Sequence, residues 1–511
     1  MFQLRQLKMY LILLAISLVI FIPQPEVKQT SMVSASDDST ETLVQEVQAD
    51  SSLKNKIDDI LKDERLDGTV TGVSVRHADT GEMLYSHDGD KRLRPASNMK
   101  LLSSAAALDV LGPDYQFETE VLTDGQVNGI VLHGDVYLRG KGDPTLMKED
   151  LDQFAKDLQA QGIKKIKGNI IGDDVWYDDI RLSQDLNWSD EPFYTGAQVS
   201  ALTLSPNDDY DAGTVIVDVN PSDKEGDKAT VSLTPHTDYV TIVNKTKTVA
   251  ADKANDISIE RDHGSNEIII EGDIPLEGTR SRSWVSIWEP TGYAVNVFKK
   301  ALEDQGITFA GQVAEDLGET PSDAKVLTSK KSIPLEDLLI PFMKLSNNGH
   351  GETLVKEMGQ LEHQEGSWDK GLDVMEETLI ELGMDSSTLQ LRDGSGMSHK
   401  NMVTSDELSD LLYHVQEKSW YPIYENALPV AGVDERLVGG SLRYRLLDPA
   451  TKENVIAKTG SISGVSTLSG YVTSADGEDL IFSIMINSYL EGPVTPIEDA
   501  IAIILAEHEF D

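Results

Sequence analysis

Cysteine is absent from the 511-residue chain, so its stability must come from buried core rather than from disulfides. Basic residues are scarce: 44 Lys and Arg face 87 Asp and Glu, a net charge of −43 that argues against nucleic-acid partners and against simple adsorption to anionic lipid. Only ten histidines occur and none forms a His-Glu-x-x-His pair; with His350 and His399 read as turn residues, a zinc peptidase has little support. No Gly-x-Ser-x-Gly elbow marks a conventional serine hydrolase. Long apolar runs are lacking too, except Tyr10 to Ile22 behind Arg5 and Lys8. With small residues at Val33-Ser34-Ala35, that run reads as a signal peptide over 1–35, cleaved after Ala35 and exporting the chain; a retained single-pass anchor is the alternative.

What is present falls into blocks. Residues 36–50 are Ser, Thr, Asp and Glu, a flexible leader. A helix is expected over Leu53 to Leu61, then a hairpin over Thr69 to Arg76 and Glu82 to His87. From 117 to 329 the texture turns to short β runs, among them Gly129 to Tyr137, Ile166 to Ile171, Thr214 to Val219 and Glu267 to Glu271. Two helices interrupt them, Met147 to Gln161 and Tyr293 to Gln305. The acidic pairs Asp173-Asp174, Asp178-Asp179 and Asp208-Asp209 lack calcium-loop spacing and read as solvated loop. Helices resume at Leu335 to Leu345, Thr353 to Leu361 and Gly371 to Leu382, and the chain closes with three strands and a helix. The organisation expected is one α/β unit made of 51–116 and 330–511, interrupted by a mostly β insertion over 117–329 of one or two nested parts.

Chemistry concentrates at Ser97. Pro95 precedes it, Gly112 and Pro113 end the apolar run behind it, and the segment between reads as a helix buried on nearly all sides with Ser97 in its first turn. Lys100 lies three residues on and shares a face with Ser97. Burial and the positive helix end both disfavour the ammonium, which suits Lys100 to act as a general base and Ser97 as a nucleophile. Ser-x-x-Lys alone is equally compatible with a helix N-cap, and further copies start at Ser51, Ser322 and Ser367, but only the Ser97 copy opens an apolar helix.

Two other motifs weigh on that choice. Ser346-Asn347-Asn348 sits on a turn between helices, where a hydroxyl can relay protons and the Asn348 amide can hold a peptide carbonyl; Ser and Asn are also ordinary turn residues. Lys458-Thr459-Gly460 lies on a strand and offers a cation, a hydroxyl and a closely approachable backbone to a carboxylate; a charged strand end followed by a turn is the plain alternative.

Taken together and in this order, Ser97-x-x-Lys100, Ser346-x-Asn348 and Lys458-Thr459-Gly460 resemble the penicillin-binding proteins and serine β-lactamases. The long segment between the first two motifs resembles the D-alanyl-D-alanine carboxypeptidase/endopeptidase family of low-molecular-mass penicillin-binding proteins. Gly142-Asp143-Pro144-Thr145-Leu146, Ser200-Ala201-Leu202 with Asn207, and Asp393 to Ser398 fit that likeness. The resemblance implies an antiparallel sheet flanked by helices, an acyl-serine mechanism without a cofactor or metal, and β-lactam inhibitors. Its substrate would be the peptide of peptidoglycan, met at the cell wall outside the membrane. By it Ser97 is acylated, Lys100 is the base, Ser346 and Asn348 relay protons and hold the carbonyl, Lys458 and Thr459 bind the substrate carboxylate, and the amides of Ser97 and Ser461 form an oxyanion hole. A non-catalytic wall-binding protein on the same fold and a β-lactamase or esterase remain as alternatives. Against the β-lactamase stand the glutamates after the second motif, Glu352, Glu357, Glu362 and Glu365, which read as solvated positions of an amphipathic helix with Leu354, Val355, Met358 and Leu361 inward. The insertion carries no motif residue and is expected to be dispensable for the chemical step.

Overall fold

A computed structural model describes residues 51–311, 314–490 and 492–510, and the expected signal peptide and leader lie outside them. The organising element is a five-stranded antiparallel sheet assembled from both ends of the chain. Strands β1 (Val70–His77) and β2 (Met83–His87) form the expected hairpin, and β3 (Ile456–Ile462), β4 (Val465–Thr473) and β5 (Asp479–Asn487) return to it in the order β2-β1-β5-β4-β3. β5 is apolar on both faces, and its alternation serves two cores. Phe482, Ile484 and Ile486 pack toward the first and last helices, α1 (Ser51–Ile60) and α7 (Thr495–Ala506). Ile481 and Met485 face a larger cluster built on the remaining helices. Helices thus cover the sheet on both sides, as the expected fold class requires.

At the centre of that larger cluster lies α2 (Met99–Val110), whose residues from Met99 to Leu108 are all buried. Around it pack α3 (Leu335–Lys344), α4 (Asn348–His363), α5 (Trp368–Glu381) and α6 (Ser405–His414). The α-helix starts later than the sequence suggests: Ala96–Asn98 is a 3-10 turn, because Ala96 is held at φ 46° and Pro95 brings no N–H. α4 starts earlier, at Asn348, since the Asn347 carboxamide caps it by accepting from the His350 amide at 3.1 Å.

Residues between 117 and 329 supply a buried cluster of their own, from Val121 to Ile307. Its main sheet orders strands 315–317, 170–173, 136–141, 118–123 and 325–331, and residues 214–286 add three smaller sheets. Two runs expected as single strands are each split. Gly129 to Tyr137 becomes a hairpin turning near Gly129, at φ 66°, followed by a strand in another sheet, and Ile166 to Ile171 divides between the same two sheets. The two chains cross between the sheets at Gly134 and Gly168, where a Cβ on Gly168 would lie 2.0 Å from the Gly134 carbonyl oxygen. An unbroken apolar pattern hides a change of sheet when the crossing residues are glycine.

Candidate active site

The site forms where the N-terminal end of α2 meets edge strand β3. Ser97 presents a half-buried hydroxyl from the 3-10 turn, and Lys100, one turn on, is fully buried. The Lys100 Nζ lies 2.9 Å from Ser97 Oγ, 2.8 Å from Asn348 Oδ1 and 2.9 Å from the Ser395 carbonyl oxygen. The Asn348 orientation is settled by its other end, since Nδ2 donates to the Thr195 carbonyl at 2.9 Å. Two of the three partners of Lys100 can therefore only accept, whereas the third is a hydroxyl. A neutral amine spends its two N–H groups on the acceptors, which leaves its lone pair for the Ser97 O–H. Burial brings the Lys100 pKa down to about 7, against the opposing charges of Asp393 and Glu352, so that this neutral form is populated.

Lys458 is equally buried but differently provided. Its Nζ donates to Ser346 Oγ at 2.9 Å and to the Thr459 carbonyl at 2.8 Å. Among the described residues no carboxylate lies within ion-pair distance, and burial, then the Lys100 charge, holds its pKa well below the ordinary lysine range. Ser346 sits at φ 59°, a left-handed conformation that turns the chain between α3 and α4. The Thr459 and Ser441 hydroxyls lie 2.7 Å apart. Gly460 is explained by what surrounds it: a Cβ there would lie 2.3 Å from Thr467 Oγ1 and 2.9 Å from both the Pro95 carbonyl and the Ser97 amide nitrogen. Edge strand and nucleophile turn touch backbone to backbone. Ser461 follows, exposed at the open edge of the sheet.

The eight residues singled out from sequence, Ser97, Lys100, Ser346, Asn348, Lys458, Thr459, Gly460 and Ser461, all come to this one cleft. Sequence reasoning missed Thr195 and Ser441 and gave Ser395, within the stretch Asp393 to Ser398, no role in the site; Thr195 and Ser395 act through main-chain carbonyls, which carry no side-chain signature.

Several expectations are corrected around the site. Glu352 and Glu357 are buried rather than solvated because α4 is packed all round as far as Gly359, and Leu361 is 48% exposed rather than inward because it lies on the last turn, beyond that packing. The Glu357 carboxylate accepts from Tyr115 Oη, from Tyr177 Oη at 2.5 Å and from Trp176 Nε1 at 3.2 Å. His350 lies buried in the first turn of α4 with Nε2 against the Tyr210 carbonyl at 2.8 Å, and burial drops its pKa to about 4.

Each acidic pair of the insertion is anchored through at least one member, while Asp179 and Asp208 are exposed as expected. Asp173 accepts from the Thr320 amide, Asp174 pairs with Arg181, Asp178 pairs with Lys356, and Asp209 pairs with Arg436. Asp185, in the same segment, holds Arg392 at 2.7 Å and Lys400 at 2.5 Å. The Asn347 Nδ2 also donates to the Tyr210 carbonyl at 3.1 Å and to Asp211 Oδ1 at 2.9 Å. The insertion thus braces the Ser346-Asn347-Asn348 turn directly, which removes the ground for treating it as dispensable.

A serine hydroxyl against a buried lysine whose pKa is brought down to about 7, a second buried lysine with no anion beside it among the described residues and an open strand edge fit a serine acyl-transfer enzyme on an α/β sheet-and-helix fold. The chain belongs to the D-Ala-D-Ala carboxypeptidase 3 (S13) family, whose model matches residues 53–508. It is 43% identical over 459 residues to a D-alanyl-D-alanine carboxypeptidase of Actinomadura sp. (strain R39), covering 89% of this chain and 85% of that one. It is 26% identical over 431 residues to the D-alanyl-D-alanine carboxypeptidase DacB of Haemophilus influenzae, covering 83% of this chain and 87% of the relative. The crystal structure of penicillin binding protein 4 (DacB) from that organism matches in fold with a TM-score of 0.75 at 23% identity, over 87% of this chain and 97% of the other.

Proposed function

We propose that this serine peptidase removes the terminal D-alanine from D-alanyl-D-alanine peptides of peptidoglycan through an acyl-Ser97 intermediate. The observation that carries the reading is the Lys100 environment, two obligate acceptors and one hydroxyl around a buried amine. As Ser97 Oγ bonds to the carbonyl carbon, its proton passes to the Lys100 lone pair and the carbonyl π pair moves to oxygen, toward the Ser97 and Ser461 amides. When the C–N bond breaks, the leaving amine takes a proton from the Lys100 ammonium directly or through Ser346, which Lys458 holds in place. Lys458 and Thr459 receive the terminal carboxylate, and the second N–H of Asn348 Nδ2 holds a peptide carbonyl. Water then releases the acyl group.

Cleavage of D-amino-acid crosslinks uses the same acylation step and belongs to the same reading. A β-lactam would be attacked identically; a structure of the Haemophilus influenzae protein carries a bound β-lactam, and its fold matches with a TM-score of 0.70 at 24% identity. Glu352 and Glu357 are both engaged by three N–H or O–H donors each, which supports a penicilloyl adduct that neither of these buried glutamates hydrolyses. Export by the segment 1–35 and residence at the cell wall complete the proposal. Mass measurement after one equivalent of penicillin tests it: a long-lived adduct on Ser97, absent from Ser97→Ala, is expected. Labelling of Ser97→Ala at the wild-type rate would remove the nucleophile, and rapid turnover of penicillin would make the protein a β-lactamase. Incubation with a free pentapeptide and with crosslinked wall fragments then separates D-alanine release from dimer cleavage, and no product from either favours a wall-binding protein.

A further inference from the structure

The Ser395 carbonyl that fixes Lys100 is itself fixed. It belongs to the turn Asp393-Gly394-Ser395-Gly396, whose four residues are pinned from three sides. Helix α2 takes its carbonyls: Ser103 Oγ donates to the Gly394 oxygen at 2.8 Å, and Lys100, three residues earlier on the same face, reaches the Ser395 oxygen. The Asp393 carboxylate folds back on its own segment and accepts from the Gly396 amide at 2.8 Å, the Ser398 amide at 2.5 Å and Asn401 Nδ2 at 2.7 Å. From α4, Glu352 takes the remaining two amides, Ser395 at 3.1 Å and Gly394 at 3.2 Å, and also accepts from Trp368 Nε1 at 2.7 Å. Helix and turn are in backbone contact here, since a Cβ on Gly394 would lie 2.2 Å from the Gly351 carbonyl oxygen.

Glu352 thus ends a short relay. Its carboxylate grips the N–H of the residue whose C=O grips Lys100. Its three hydrogen-bond partners are all donors, which favours the carboxylate form against burial and then the Asp393 charge, both of which raise its pKa. Two buried carboxylates therefore stand close behind the amine that takes the Ser97 proton, where no solvent could stabilise the resulting ammonium.

We propose that Glu352 is a positioning residue for the acylation step: through the Ser395 peptide it aims the Lys100 lone pair at Ser97, and its charge steadies the Lys100 ammonium formed in attack. The inference rests on Lys100 being the base. The charged and titratable groups facing Lys100 are Glu352, Asp393, Lys458 and His350, and since Glu352 and Asp393 repel each other in the same buried space, a change at Glu352 also acts on Asp393.

The test is the pH dependence of penicillin acylation, followed by adduct mass, in Glu352→Gln, Glu352→Asp and Lys100→Ala. Glu352→Gln removes the charge and turns an NH₂ against N–H donors. Its acylation rate should fall tenfold or more, short of the roughly 10²–10⁴-fold that a proton-transfer group supplies. Its acid limb should also move to lower pH by about one unit, because an ammonium with one neighbouring anion fewer loses its proton more readily. Glu352→Asp keeps the charge but draws the carboxylate back from both amides, so its limb should stay at the wild-type position while the rate falls about tenfold. A Glu352→Gln limb that superimposes on wild type, with a rate within twofold, overturns the proposal. So does a Glu352→Asp rate equal to wild type, and that variant decides alone should the glutamine variant not fold. Lys100→Ala separates the two levels: if it still acylates at the wild-type rate, the base assignment has failed, whereas an inactive Lys100→Ala beside an unaltered Glu352→Gln sinks only the role of Glu352.

Discussion

Lys100 and Lys458 are the same residue at the same depth, both fully buried within one cleft, yet their surroundings prepare them for opposite tasks. Around Lys100 are two fixed acceptors, one hydroxyl and two nearby carboxylates, so the amine can be neutral before attack and charged after it. Around Lys458 are a hydroxyl and a carbonyl, and among the described residues no carboxylate is in contact to complete its charge. The first pocket is built to move a proton, and the second to await an anion. Burial alone distinguishes neither; the partners do.

Lys100→Ala breaks the comparison hardest. Acylation should fall by about 10⁴-fold or more, as far as in Ser97→Ala, because nucleophile and base act as a unit. Adduct formation followed by mass checks this, and a Lys458→Ala loss of equal size would erase the distinction between the two pockets. Gly460→Ala disturbs the ground they share. Its Cβ would press on the Ser97 amide nitrogen, and a displacement approaching 1 Å costs about 10²-fold in rate for peptide and penicillin alike.

Lys458→Ala sharpens the contrast. Removing one partner of a desolvated charge pair costs at least about 2 kcal/mol, so kcat/KM on an acid-terminated peptide should drop about 30-fold or more, with little further loss on the terminal amide. Equal losses on the two substrates would take the carboxylate role from Lys458. Asn347→Ala touches both pockets from the insertion's side by freeing the turn between Ser346 and Asn348. It should cost about 1 kcal/mol of stability as a lost helix cap and about tenfold in acylation, read from thermal unfolding and adduct kinetics together.

The smallest effect is that of pH. Lys100 must be deprotonated to accept, and its pKa is about 7, so acylation should rise with pH and fall about fourfold between pH 8 and 6.5. A rate that increases on acidification would mean that the ammonium form is the active one.

Much of the site was legible because its parts are local. Ser97 and Lys100 meet by helical spacing, and Lys458 to Gly460 meet their ligand surface by lying on one strand. The fold of the catalytic part was legible for a similar reason, each helix and strand carrying its own period and caps. Asp178 and Asp209 were misread where their neighbours Asp179 and Asp208 were not, because a carboxylate in a polar loop looks the same whether water or a distant cation faces it. The partner of Asp178 is Lys356, that of Asp209 is Arg436, and those of Asp185 are Arg392 and Lys400, all beyond the insertion. Glu352 and Glu357 of α4 were misread likewise, while Glu362 is exposed as expected, since an amphipathic pattern reports one buried face and is silent about a helix surrounded by both parts of the chain.

The sequence by itself determined that Ser97 and Lys100 share a face and that Lys458 lies on a strand, since these rest on residues a few positions apart whose geometry secondary structure sets; the reaction class came from the likeness of three motifs taken together. Only the tertiary structure decided that the Thr195 carbonyl orients Asn348 and the Ser395 carbonyl accepts from Lys100, that Glu352 and Asp393 stand behind that lysine, and that the insertion is tied into the catalytic unit. Those are contacts between segments up to hundreds of residues apart, several made by main-chain groups common to every residue, and packing alone selects which of them meet.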